Sequence, residues 1–322
     1  MAEVILGIGT SHSPMLSTPH EAFAGHAERD RANPHVPNFA GLAREKAAWI
    51  GRELEPAVTR ARHEATEAAL ARLATVLAEA APDVLVIIGD DQNEWFSADS
   101  QPALCIYWGD SVENLPPPVE RMAPSIRRAY WGFYGDGTNR AFPVDAALGK
   151  YLVETLTREH EFDVAHVRVQ PRHAPFGHAW SFVHQRLMGE RVIPIVPVLL
   201  NTYYPPNQPT ARRCYQLGRA IRQTVEAWPA GKRVGVLGSG GLSHFVVDEA
   251  LDQHVLQILA KRDAEAIAAL SPSQLESGNS EIRNWIAAAG AVEHLEMQLV
   301  DYVPSYRSEA GTGVGMAFAL WQ

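Results

Sequence analysis

Residues 84–88 read Val-Leu-Val-Ile-Ile, an unbroken apolar run set between Pro82-Asp83 and Gly89-Asp90. A strand that is apolar at every position offers no face to water, so it has to be covered on both sides, as strands of helix-flanked sheets are. The rest of the chain repeats the theme. Strands are predicted at Val4–Gly7, Ala103–Trp108, Phe162–Val169, Val192–Leu200, Arg233–Gly238, 295–302 and 313–320. Helices are predicted at 44–81 with a break at Pro56, and at Val144–Arg158, Trp180–Met188, Thr210–Ala227, Asp248–Leu270 and Glu281–Ala289. In the first of these, Leu70, Leu73 and Leu77 share one face. Residues 15–43 and 110–136 read as irregular, and Pro194 and Pro197 predict that their strand lies at an edge or carries a bulge. Strands alternating with helices predict an α/β fold: a single domain over residues 1–322, with a mixed, largely parallel central sheet flanked by helices.

Charge narrows the partners. Lys and Arg number 28 against 37 Asp and Glu, a net charge of −9 that argues against nucleic acid or an anionic membrane surface. Cys105 and Cys214 are the only cysteines, too few for a disulfide framework or a thiolate metal cluster, and read as buried free thiols of a reducing compartment. The sequence opens without a basic and apolar leader pattern, and no apolar run nears the ~20 residues of a membrane span, so a cytoplasmic location is expected.

Three of the 13 histidines follow a strand or a glycine-containing turn, where α/β sheets place ligand sites. They are His12 in Gly9-Thr10-Ser11-His12-Ser13-Pro14, His178 in Phe176-Gly177-His178-Ala179, and His244 in Gly240-Gly241-Leu242-Ser243-His244. Each alone reads as readily as a hydrogen-bonded structural imidazole; the shared position at strand ends favours a common cavity. Gly7-Ile8-Gly9 and Gly238-Ser239-Gly240 begin like dinucleotide loops, but His12 and Ser243 stand where the third glycine belongs. No Gly-x-Ser-x-Gly elbow supports a serine hydrolase. Asp90-Asp91-Gln92-Asn93-Glu94 puts three carboxylates and two amides at the end of the 84–88 strand, as a solvated loop or as a metal- or substrate-side loop. Glu281 falls in the first turn of its helix, behind the candidate N-caps Ser277 to Ser280, where helix stabilisation alone would account for it.

Together and in this order, these segments resemble the class III extradiol ring-cleavage dioxygenases, the superfamily of the protocatechuate 4,5-dioxygenase catalytic subunit. The resemblance is carried by Ser11-His12-Ser13-Pro14, Gly177-His178-Ala179, Gly240-Gly241-Leu242-Ser243-His244, and Glu281-Ile282-Arg283-Asn284-Trp285 followed by Gly290-Ala291. Tyr204-Pro205-Pro206 and Arg213–Gly218 add to it, and an apparent insertion near 17–62 interrupts it.

The resemblance implies a non-heme Fe(II) enzyme that opens the ring of a catecholic or gallate-like aromatic acid with dioxygen. His12 and Glu281 are then metal ligands, with His244 and, second, His178 as acid/base residues. The family's second ligand histidine falls on Gln92, counting from Pro82-Asp83. A glutamine carbonyl is a harder and weaker donor than imidazole, which opens the site to another divalent metal; Asp91, Glu94 and His63 are the other donors chemically available. Two alternatives stay open, a different metal-dependent enzyme on the same scaffold (hydrolytic, for instance) and a non-catalytic binding homologue. The partners implied are a small aromatic substrate and dioxygen. A homo-oligomer is expected, with 108–136 as its interface or as a lid, and Arg29, Arg31 and Arg44 are candidates for holding a substrate carboxylate.

Overall fold

In the computed structural model, residues 1–115, 124–135, 137–172 and 174–322 are described. The first half of the chain runs β1 (Glu3–Thr10), α1 (Phe23–Asp30), α2 (Phe39–Lys46), α3 (Ile50–Glu53), α4 (Pro56–Ala80), β2 (Val84–Asp90), β3 (Leu104–Tyr107), β4 (Ser111–Asn114), α5 (Pro124–Tyr134) and β5 (Arg140–Pro143). The second half runs α6 (Ala146–Arg158), β6 (Ala165–Val167), α7 (His178–Val183), β7 (Ile195–Leu200), α8 (Ala211–Ala227), β8 (Arg233–Ser239), α9 (Glu249–Ala260), α10 (Ala264–Ala269), α11 (Ile282–Ala291), β9 (Met297–Tyr306) and β10 (Gly313–Trp321). Eight strands form one sheet in the order β6-β3-β7-β2-β8-β1-β10-β9, and β4 pairs with β5 apart from it. β7, β2, β8 and β1 are parallel, β10 is antiparallel to β1, β9 is antiparallel to β10, and β3 is antiparallel to β7. The expected mixed, largely parallel sheet is present.

The residues of β2 divide alternately between two cores. Val84, Val86 and Ile88 pack with Leu152 of α6, Ile221 of α8 and Ile286 of α11, whereas Leu85 and Ile87 pack with Leu73 and Leu77 of α4 and Phe182 of α7. Because side chains alternate along a strand and both faces are covered, every residue of β2 is buried as far as Asp90. The parallel strands end on one edge of the sheet. The turn after β1, the loop after β2 and the loop after β8 therefore open side by side.

Several expectations change. β7 is not at an edge and its register is regular; it lies between β2 and β3, with Pro197 opposite Ile87. Ile195 sends its C=O to the Asp145 N–H on the β3 side, and alternation puts the missing N–H of Pro197 on that same side, one residue beyond the last β3 pair, Ile106 with Val198. The helix expected over Asp248–Leu270 breaks into α9 and α10 at Arg262, which has a left-handed φ of 58°, and the Asp263 side chain caps α10 at the Ala266 N–H. Phe162–Val169 shortens to β6, and the helix from 180 starts at His178. The 15–43 stretch holds α1 and α2, and the helix expected from 44 begins in full only at Pro56, in the first turn where a missing N–H is harmless. Within 110–136 lie β4 and α5, with residues 116–123 and 136 outside those described. Both cysteines are buried free thiols, pushed up to about 12 by that burial. Among the described residues no helix is long and apolar enough to cross a membrane.

α11 packs against β1 and β8. Its Trp285 is wholly buried, donates its indole N–H to the Gly240 C=O (2.7 Å), and lies so close to Gly9 that a Cβ there would stand 2.4 Å from the ring. Gly9→Ala therefore has to displace α11, and with it Glu281, from the sheet. Overpacking of this kind costs ~1–3 kcal/mol, so the urea unfolding midpoint is expected to fall correspondingly; an unchanged midpoint would contradict this packing.

Candidate metal centre

β1 ends at Thr10, and the turn that follows is pinned to β10: the Ser11 N–H donates to the Ala317 C=O and the Ser11 hydroxyl accepts from the Ala317 N–H. His12 thus enters the space beyond the strand ends, 3% exposed. Its Nδ1 lies 3.0 Å from the Ser239 Oγ, and that hydroxyl spends its proton on the Ala179 C=O at 2.8 Å. Ser239 can therefore only accept from His12, which puts a proton on Nδ1 and, in the neutral imidazole, leaves the lone pair on Nε2. Nε2 is buried without a hydrogen-bond partner and faces the Glu281 Oε2 at 3.3 Å.

At the end of β2 the polar residues part company. Asp90, wholly buried, accepts from the Asn284 amide (3.2 Å) and the Gln92 amide (3.0 Å). The Gln92 Nε2 also reaches the Glu281 Oε1 at 3.3 Å. Asp91 folds back on its own loop and accepts from the Trp95 and Phe96 N–H groups. Glu94 accepts from the Gln92 N–H and from both the N–H and the Nδ1 of His178. His63 sits in α4 against His20 and Phe23, outside the cavity that Gln92, Glu94, His178 and Glu281 line.

Glu281 closes a short 3-10 turn, Ser277–Glu281, that runs into α11. No side chain caps that turn, so the expected serine caps are not what places Glu281. Its Oε2 accepts the Gly241 N–H at 2.6 Å, and its Oε1 lies 3.3 Å from the His244 Nε2. His244 is fixed by its N–H on the Asn279 side chain and by Nδ1, which donates to the Leu242 C=O at 2.9 Å. The preceding Ser243 is held through its N–H and hydroxyl by the buried Asp252.

Burial opposes charge on Glu281, but the His244 imidazole facing it acts the other way, and the carboxyl is held well below its ordinary range. Asp90 is pushed up by burial and by the neighbouring Glu281 carboxylate. Burial also opposes charge on His178, yet the Glu94 carboxylate raises it to about 10. Candidate ligand atoms of His12, Asp90, His178 and Glu281 all lie within 4.8 Å of one another. A bare imidazole nitrogen facing a carboxylate oxygen, with a second buried carboxylate alongside, is a repulsive arrangement that a divalent cation between the donors would resolve. The residues fit a metal of the kind the resemblance implies.

The cavity in front of this cluster has a volume of about 850 Å³. His12, Gln92, Glu94, His178, His244 and Glu281 line one end of it. Tyr130, Phe133 and Tyr134 of α5, with Phe245, form an aromatic wall, and His26 and Arg29 of α1 form another. Asp90, Ser239 and Asn284 were not singled out as site residues by the sequence. The available signal was the run of acids that closes an otherwise apolar strand, which marks the loop without choosing among Asp90, Asp91 and Glu94.

The sequence profile of the family described as the catalytic LigB subunit of aromatic ring-opening dioxygenase matches residues 53–317. The chain is 35% identical over 106 residues to a gallate dioxygenase of Pseudomonas putida, covering 32% of this chain and 30% of that one. It is 27% identical over 184 residues to a 2,3-dihydroxyphenylpropionate/2,3-dihydroxicinnamic acid 1,2-dioxygenase of Comamonas testosteroni, covering 56% and 49%. To the protein of that name from Rhodococcus sp it is 25% identical over 285 residues, covering 71% and 82%. The chain spans half or less of the length of the first two of these relatives. The profile match takes in most of the chain, including the segments that bring Gln92, His178, His244 and Glu281 to the cavity, and the chain belongs to the family of the catalytic LigB subunit of aromatic ring-opening dioxygenase.

Proposed function

We propose that this chain opens the ring of a catecholic or gallate-like aromatic acid with dioxygen, as a cytoplasmic enzyme. In this reading Fe(II) is held by His12 and Glu281, with Gln92 in its coordination shell or one water away. The observation that carries the proposal is the buried His12 Nε2, without a hydrogen-bond partner, set 3.3 Å from a buried carboxylate oxygen. When bound, Fe(II) would supply a Lewis acid for the catechol oxygens and electrons for dioxygen. Relatives named for gallate and for dihydroxyphenylpropionate support a hydroxylated aromatic acid as substrate.

The chain's own residues then divide the work. With Nδ1–H spent on Leu242, His244 takes up a catechol proton at Nε2, where the adjacent Glu281 charge favours the imidazolium. His178, tied to Glu94 through Nδ1, has Nε2 left to hold a proton for the opening ring. The aromatic wall of Tyr130, Phe133 and Tyr134 excludes water and accepts a flat ring.

Arg29 is the cation proposed for the acid group. Arg307, the other guanidinium at the cavity, is taken up by a paired contact with Asp30 at 2.7 and 2.8 Å, whereas Arg29 has no ion-pair partner among the described residues. Arg29→Ala is expected to raise KM for an aromatic acid about two- to fivefold, the scale of an exposed ion pair, and to leave KM for the methyl ester unchanged. Equal effects on acid and ester would remove Arg29 from substrate recognition.

The function itself is tested by loading the protein anaerobically with iron and following oxygen consumption across a panel of catechols. Uptake on adding a catecholic acid, with appearance of a ring-opened product, is expected. No uptake with any member of the panel would reject the proposal.

A further inference from the structure

We propose that Asp90 supplies the donor missing from the histidine position, so that the metal is held by His12, Asp90 and Glu281 while Gln92 positions the two carboxylates. This rests on the reading of the cluster as a divalent metal site. Of the acids that close β2, Asp91 is occupied by the Trp95 and Phe96 N–H groups and Glu94 by His178 and the Gln92 N–H. Of the three, Asp90 is the one that belongs, with His12 and Glu281, to the group whose candidate ligand atoms all lie within 4.8 Å of one another.

The orientation of the Gln92 amide follows from its neighbours. Its outer atom lies 3.0 Å from the Asp90 Oδ2 and 3.3 Å from the Glu281 Oε1, and only an N–H₂ group is compatible with two carboxylate oxygens. The carbonyl oxygen of that amide is therefore the atom turned away from the carboxylate pair. Asn284 holds the other Asp90 oxygen, at 3.2 Å, and anchors its own amide on the Ser239 C=O. The two amides thus hold Asp90 from both sides in the manner of groups that orient a ligand.

Two buried carboxylates in contact with one shared donor are costly without a cation. With a divalent ion, Asp90 and Glu281 bring the charge of the centre to zero. Replacing an imidazole by a carboxylate also hardens the donor set, and hard oxygen sets suit Mn(II) better than imidazole-rich ones do. The native chain should therefore take Mn(II) as well as Fe(II).

The test is titration of the chain with Mn(II), followed by loss of the free-ion electron paramagnetic resonance signal. The native chain is expected to bind one Mn(II). Asp90→Asn should weaken binding by more than about a hundredfold, and Gln92→Ala by about tenfold, as removal of an orienting partner does. Native-like binding by Asp90→Asn, or loss of binding in a folded Gln92→Ala, would overturn the assignment; the second arm stands even where Asp90→Asn does not fold. Absence of Mn(II) and Fe(II) binding by the native chain would instead overturn the metal reading on which the assignment rests.

Discussion

Glu281→Gln is expected to abolish metal retention while leaving the fold in place. Glu281 receives the Gly241 N–H on one oxygen and the Gln92 amide on the other, and both His12 and His244 point a ring nitrogen at it. The amide keeps the size of the side chain but removes the charge that would hold a cation at this point. Loss of one of three ligands from such a site should reduce affinity by more than about a hundredfold, beyond the loss seen when only an orienting partner is removed. His12→Ala is expected to do the same, because Nδ1 is taken up by Ser239 while Nε2 is buried without a hydrogen-bond partner. Metal content after anaerobic loading measures both. Full occupancy in the two variants would contradict the ligand assignment.

His244→Phe should show the opposite pattern, with metal retained and turnover lost. The imidazole reaches Glu281 through Nε2 but is fixed by the Leu242 carbonyl and the Asn279 side chain, both outside the candidate ligand group. A positioned acid/base group contributes about 10²–10⁴-fold to the rate, so kcat should fall by that range at unchanged metal content. A variant that loses its metal, or that turns over at the parent rate, would contradict the role. His178→Ala should follow the same pattern with a smaller loss, since Glu94 and its hydrogen bonds to the loop remain.

Much of the site was legible because the chemistry sits where strands end. His12, His178 and His244 each follow a glycine-containing turn, and the sheet brings those turns together. Gln92 read as a substitution at a ligand position, and its amide does stand between Asp90 and Glu281. Asp90 was harder to read. A run of acids after a strand looks the same whether one side chain turns inward or none does, and only the N–H groups of Trp95 and Phe96 decide that Asp91 turns back. Of the α1 wall only Arg29 was legible, as one of three candidate arginines, because the helix is tied down by the Asp30–Arg307 ion pair, whose partners are 277 residues apart. Pro197 misled because a proline forbids an N–H, whereas its consequence depends on where the neighbouring strand stops.

The central claim is that this cavity carries out ring opening with dioxygen, and the origin of the oxygen atoms in the product tests it most directly. Iron-loaded protein is mixed with a catecholic acid under isotopically labelled dioxygen, and the product is weighed by mass spectrometry. The account predicts a ring-opened product carrying both labelled atoms. A product formed without label, its new oxygen drawn from water, would show a hydrolytic enzyme on this scaffold and would contradict the account.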